Sequence, residues 1–329
     1  MDLITRARGS LVGLAVGDAL GRPAEGMSPG AIRERWGRIE GFVAEKPSGS
    51  DDTEYALFSA RLLLEHGESL TPDLVAEAYR RESCVQEGGF KGAGFSEMAT
   101  ITNLRAGLQP PFTGQHSHSW SDGLAMRSAP HGIFAAGDPV LAGHLALVDG
   151  SVAHTGEGLY GGQAVAAGVA AAMAGLGPEE VVAAARAVVP ADSWTGRNLA
   201  AAAAIGGAAP DVWSALEPLH DRLAVTFYHW TDIAPEAVGL AFGVYLAARG
   251  RFVDAVLGGV NIGRDADTIA AMAGALAGAG AGFDAIPAEW SSRIRAVPGS
   301  CIHTVAGMHI SDMAEKLALA AMARRETHA

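Results

Sequence analysis

The chain has 329 residues and is 49% hydrophobic, enough to supply a sizeable core. Its 24 Lys and Arg stand against 36 Asp and Glu, a formal net charge of −12, which argues against any general nucleic-acid partner that would need a basic surface. Cys84 and Cys301 lack metal-knuckle spacing, the opening residues lead into a Gly-punctuated run containing Asp18 instead of an unbroken apolar region with a cleavage site, and no apolar run is long enough for a membrane span. A cytoplasmic setting without export or membrane insertion is therefore expected.

In chain order, Leu3, Ala7, Leu11, Leu14 and Ala15 recur at helical spacing and predict a core helix that reaches Gly17-Asp18-Ala19-Leu20-Gly21. Asp18 at the end of that helix opposes the local dipole, so it needs a partner: a backbone N–H, a metal-bound water or Arg22. A structural role in holding the next loop competes there with ligation. Residues 22–50 contain Pro23, Gly26, Pro29, Gly41, Pro47 and Gly49 and read as turns and loops. Ser50-Asp51-Asp52-Thr53 then opens a helical run to about Leu64, closed by His66 and Gly67, and Pro72 starts another helix. Gly88-Gly89-Phe90-Lys91-Gly92-Ala93-Gly94-Phe95 reads as a loop first and a phosphate contact second, since it has no P-loop or dinucleotide fingerprint.

A helix is expected near 96–106, then a turn at Gln109-Pro110-Pro111. His116 and His118 have a spacing that metals can use, but beside a turn and Trp120 they are left without a metal role. The stretch around His154 joins two helical segments, and Tyr160-Gly161-Gly162 opens an Ala-rich helix through Ala174. Segments 178–189, 196–206, 211–219 and 237–248 all favour helix through their Ala, Leu, Val and Glu content. His229, Trp230 and Thr231 form an aromatic loop, with packing favoured over stacking on a base. The tail from Ser311 reads as an amphipathic terminal helix.

The second acidic cluster is Gly263-Arg264-Asp265-Ala266-Asp267-Thr268, which leads into the apolar segment 269–281. Each cluster alone is accounted for by helix capping and dipole complementation. Together they supply carboxylates and hydroxyls without His or Cys, a donor set for hard cations such as Mg²⁺ or Mn²⁺ and not for zinc. Four gathered carboxylates would repel one another unless cations held them.

With Gly17-Asp18-Ala19-Leu20-Gly21 and Glu25, the motif Ser50-Asp51-Asp52-Thr53, and Gly263 through Ala270, the sequence resembles the ADP-ribosylglycohydrolase family nearly end to end. Ala125 to Pro130, His154 with Tyr160-Gly161-Gly162, Pro235 to Gly239 and Ile286 to Trp290 extend the likeness. The resemblance implies an all-α, compact orthogonal helical bundle, one domain over 1–329, with a dinuclear metal cleft. It further implies two Mg²⁺ ions, Mn²⁺ being the substitute, on Ser50, Asp51, Asp52, Asp265, Asp267 and Thr268. Glu25 would act on the attacking water, with Asp52 and Asp267 also catalytic. Asp122, Gly123, Met126, His154, Tyr160 and Gly161 would meet the substrate. The implied activity is hydrolysis of the glycosidic bond between ADP-ribose and a protein side chain or small molecule; the alternatives are a smaller ribosylated metabolite or nucleoside, or a non-catalytic ligand binder. Ser50 stands where the family usually has Thr, and Asp122-Gly123 where it commonly has Asn-Gly, which leaves ligand recognition open.

Overall fold

The helical spacing along the chain resolves into sixteen α-helices, with no strand among the described residues. The structure is a computed structural model that describes residues 1–87 and 94–328; most of the glycine-rich stretch read as a loop, 88–93, lies outside them. In chain order the helices are α1 (Leu3–Gly21), α2 (Pro29–Trp36), α3 (Asp51–His66), α4 (Pro72–Ala78), α5 (Phe95–Arg105), α6 (Ala129–Phe134), α7 (Pro139–Gly150) and α8 (Glu157–Met173). The second half adds α9 (Pro178–Ala187), α10 (Trp194–Ala208), α11 (Val212–Leu223), α12 (Ala234–Ala247), α13 (Phe252–Asn261), α14 (Ala266–Ala281), α15 (Ala288–Ser291) and α16 (Ile310–His328). None of them is long and apolar enough to cross a membrane.

The segment 22–50 departs from the loop expectation, because α2 forms inside it. Ser28 accepts a hydrogen bond from the Ala31 N–H at 3.2 Å and Pro29 fills the first turn, so two residues that signal a turn here start a helix. α6 and α13 were harder to foresee, since neither Ser128 nor Arg251 makes a side-chain cap. The terminal helix α16 does bury one side, through Ala314, Leu317, Ala318 and Ala321, and leaves Leu319 and Met322 exposed.

The centre of the fold is the contact between α1 and α14. Both are buried nearly all round, so neither has a polar face to turn to solvent. Gly9, Gly13 and Gly17 recur every four residues on one stripe of α1, which lets the two backbones approach. A Cβ built on them would lie 2.2, 2.5 and 2.2 Å from the carbonyl oxygens of Gly278, Gly274 and Ala270 respectively. The crossing therefore sets the first turn of α14 beside the last turn of α1.

Candidate metal centre and its cavity

Asp18, on that last turn, is fully buried and acts as a clamp. Its carboxylate accepts hydrogen bonds from the Ser50 N–H at 2.8 Å, the Thr53 N–H at 3.2 Å and the Thr53 hydroxyl. Of the partners the sequence left open, the backbone N–H is the one found. The donors belong to the N-terminus of α3, whose positive end offsets the charge that α1's own C-terminus disfavours. One end of α1 thus holds the first turns of α3 and α14 together, and those turns carry the two acidic clusters.

A third segment is tied to the same place by backbone pairing. The Gly26 N–H donates to the Arg264 carbonyl and the Arg264 N–H to the Met27 carbonyl, each at 2.8 Å. Gly263 has φ 71°, and a Cβ there would sit 2.3 Å from the Met27 carbonyl oxygen, so only glycine permits this approach. Arg264 itself is held in the left-handed region at φ 60°, a strained state for a residue with a side chain. Its guanidinium is anchored on the buried Glu236 carboxylate, which also accepts from the Val225 N–H at 2.6 Å. This pairing carries Glu25 to the acids of α14: Glu25, Asp265 and Asp267 offer oxygens that all lie within 4.8 Å of one another.

Asp51, Asp52, Asp265, Asp267 and Thr268 line one cavity of about 320 Å³, with Glu25 at its exposed mouth. The Thr268 hydroxyl donates to Asp52 Oδ1 at 3.2 Å across the junction of the two clusters. Ser50 is not among the lining residues; its hydroxyl caps α3 by accepting from the Asp52 N–H at 3.3 Å. Of the residues expected to meet a substrate, Asp122, Gly123 and Met126 line the cavity and His154, Tyr160 and Gly161 do not. His154 lies fully buried behind the wall, 3.3 Å from the Ser121 hydroxyl, and burial holds its ring well below the usual imidazole range, hence neutral. Gly161 serves helix packing, where a Cβ would meet Ala234 at 3.0 Å and Val238 at 3.2 Å.

Of the other lining residues, Phe95 ends the glycine-rich stretch and Thr231 belongs to the aromatic loop, whereas Ser96, Glu97, Ser121 and Asp232 carried no distinguishing mark in the sequence. Trp230 packs edge-on against Phe95 at 4.3 Å between centroids, the role favoured for it, and also lines the cavity. His116 is turned to the Ala153 carbonyl at 3.0 Å and His118 stacks on Phe95, so neither faces the acids as a ligand pair. A more apolar cavity of about 440 Å³ adjoins, walled by Trp120, Trp194, Phe227 and Tyr228, and shares Ser121 and Asp232 with the first.

The electrostatics of the cavity are those of a site built for positive charge. Burial pushes Asp51, Asp52, Asp122, Asp265 and Asp267 well above the usual carboxylate range, and their neighbours' negative charges add to it. Glu25 is raised by burial too, opposed by Arg22. Buried oxygens Asp52 Oδ2 and Asp267 Oδ1 have no hydrogen-bond partner. Orphaned acceptors of this kind, in an all-oxygen donor set, fit a hard divalent cation.

A pH dependence follows. These carboxyls hold protons more tightly when folded than when unfolded, so their contribution to stability is fully present below about pH 4 and is lost as pH rises through their folded pKa values. In the presence of a chelator, the melting temperature should fall between pH 5 and pH 8 relative to the Mg²⁺-loaded protein. Parallel profiles with and without metal would contradict this.

Comparison with known proteins gives a consistent picture. The family described as ADP-ribosylglycohydrolase matches residues 1–327. An uncharacterised protein of Archaeoglobus fulgidus is 33% identical over 292 residues, covering 86% of this chain and 89% of its own length. A solved structure described as an ADP-ribosylglycohydrolase-related protein complex superposes with a TM-score of 0.70 at 24% identity, over 98% of this chain and 99% of that one. That last likeness is one of fold.

Proposed function

The chain belongs to the ADP-ribosylglycohydrolase family, and from that premise we propose that it is a metal-dependent hydrolase of the glycosidic bond between ADP-ribose and a protein side chain or small molecule. The observation that carries this reading is the meeting of Asp51, Asp52, Asp265, Asp267 and Thr268 in one cavity with Glu25 at its mouth.

Asp51, Asp52, Asp265, Asp267 and Thr268 would hold two Mg²⁺ or Mn²⁺ ions, Ser50 joining them if its hydroxyl leaves the helix cap. Bound there, the ions supply Lewis acidity and a positive pole for vicinal sugar hydroxyls. Glu25 takes a proton from the attacking water, a task better suited to a carboxyl raised above its usual range than to an ordinary solvated one. The surrounding carboxylates stabilise the positive charge that develops at the anomeric carbon in an oxocarbenium-like transition state. Asp122, Gly123 and Met126 form the wall against which the substrate is oriented. A second reading, hydrolysis of a smaller ribosylated metabolite or nucleoside, is favoured by the cavity's excess of carboxylates.

The reading is tested by thermal shift and turnover with ADP-ribose, ADP-ribosylated acceptors and nucleosides, each with and without Mg²⁺. Metal-dependent stabilisation by ADP-ribose and metal-dependent release of it support the proposal. Stabilisation and turnover indifferent to a chelator would sink it. Glu25→Gln should lower kcat by about a hundredfold or more while metal is retained. Loss of metal in that variant would move Glu25 from water activation to ligation.

A further inference from the structure

Arg264 has two sets of partners, and they belong to different segments. Its backbone pairs in both directions with the residues that follow Glu25, through Gly26 and Met27. Its side chain turns the other way, into the loop of residues 225–233. There Nε donates to Glu236 Oε1 at 2.5 Å, and Nη2 donates to Glu236 Oε2 at 3.2 Å, the Val225 carbonyl at 3.3 Å and the Trp230 carbonyl at 3.5 Å. Glu236 is fully buried and closes the arrangement by accepting from the Val225 N–H at 2.6 Å. A planar fork of donors lets one side chain hold a carboxylate and two carbonyls at once, which the point charge of a lysine could not do.

That loop is the partition between the two cavities. Trp230, Thr231 and Asp232 line the acidic one, while Val225, Phe227, Tyr228 and again Asp232 line the apolar one. Its middle, Thr226 to His229, is exposed, with Phe227 at 93%, so hydrophobic burial does not set its course. The Trp230 ring rests on Phe95 and His118, and the exit is fixed where the Asp122 N–H donates to the Asp232 carbonyl at 2.9 Å. The entry and the Trp230 backbone are held by Glu236 and Arg264. Glycine at position 264 would make the same backbone pairing at φ 60° without strain, so what the strained residue adds is its side chain.

We propose that Arg264, together with Glu236, is a positioning residue that fixes the 225–233 loop, so that the part of an ADP-ribosyl ligand beyond its metal-bound ribose meets a preformed wall. This rests on the metal-centred reading of the cavity, and gives the pair a part in holding ligand, not metal. A wall misplaced by about 1 Å can cost a site roughly a hundredfold, so the effect is measurable.

The test uses the full chain loaded with Mn²⁺ and two probes, ADP-ribose and methyl β-ribofuranoside, with affinities read by calorimetry and Mn²⁺ content measured for every variant. Arg264→Gly keeps the backbone conformation and removes the guanidinium. Glu236→Gln keeps an acceptor for the Val225 N–H and removes the charge. Each should weaken ADP-ribose at least tenfold while Mn²⁺ content is kept and riboside affinity stays within about threefold. A purely structural role would lower both affinities together or shed the metal, so the ratio of the two is the readout. A ratio unmoved in either metal-loaded variant overturns the proposal, as does loss of Mn²⁺ from Glu236→Gln, or an unaltered protein that binds ADP-ribose no more tightly than the riboside. Should Arg264→Gly shed Mn²⁺, Glu236→Gln decides. If ADP-ribose binding depends on Mn²⁺ but the ratio fails, the metal-centred reading stands and this inference alone is lost. If ADP-ribose does not bind in a Mn²⁺-dependent way, both fall.

Discussion

Asp52→Ala and Asp267→Ala should each abolish metal binding and lower kcat/KM by roughly a thousandfold or more, while the circular dichroism of a helical protein is kept. Both side chains are buried, at 2% and 4% exposure, and each has an oxygen with no protein partner; the hydrogen bond lost with Asp52 is the one its Oδ1 accepts from the Thr268 hydroxyl at 3.2 Å. The isosteric Asp267→Asn makes a sharper point. Asp267 is raised by burial first and then by Asp265, Glu25 and Asp18. Removing one of these like charges should make the metal-free variant melt higher than the metal-free parent, although it no longer gains stability from Mg²⁺. A variant that melts lower in both conditions would show that Asp267 supports the fold directly.

The second large effect lies away from the acids. Gly17→Ala would set a methyl 2.2 Å from the Ala270 carbonyl oxygen, and Gly278→Ala one 2.0 Å from that of Gly9. Backbone cannot yield as a flexible side chain does, so α1 and α14 must part. The expected loss is about 3 kcal/mol or more, at the upper end for overpacking. Gly17→Ala should also weaken metal binding, because Ala270 lies one turn from Asp267. Gly280→Ala is the control: its Cβ would meet nothing within 4 Å, and a helical alanine there should be neutral or stabilise by about 0.5–1 kcal/mol. Chemical denaturation of the three variants measures all of this, and equal stabilities would remove the α1–α14 crossing as the organiser of the site.

The clusters themselves were legible because each sets acids and a hydroxyl in the first turn of an apolar helix, a local pattern with a chemical meaning. That they share one cavity was not local. It depends on Asp18 reaching the Ser50 and Thr53 N–H groups and on a glycine stripe whose partner carbonyls lie more than two hundred residues away. Fold class followed from periodicity and from the resemblance, whereas α2 was concealed by Ser28 and Pro29, which serve turns and helix starts alike. Glu97 and Asp232 had no local mark either, since an acid on a helix or in an aromatic loop is ordinarily solvated. Tyr160 and Gly161 show the converse: the resemblance implied a substrate contact for them, but Gly161 makes room for α12 and neither lines the cavity.

All of this turns on whether the acidic first turns of α3 and α14 jointly hold metal. Anomalous diffraction from crystals grown in Mn²⁺ addresses it directly. Two peaks between Asp51 and Asp52 on one side and Asp265 and Asp267 on the other are predicted. An empty difference map at these carboxylates, or Mn²⁺ bound only elsewhere on the surface, would contradict it.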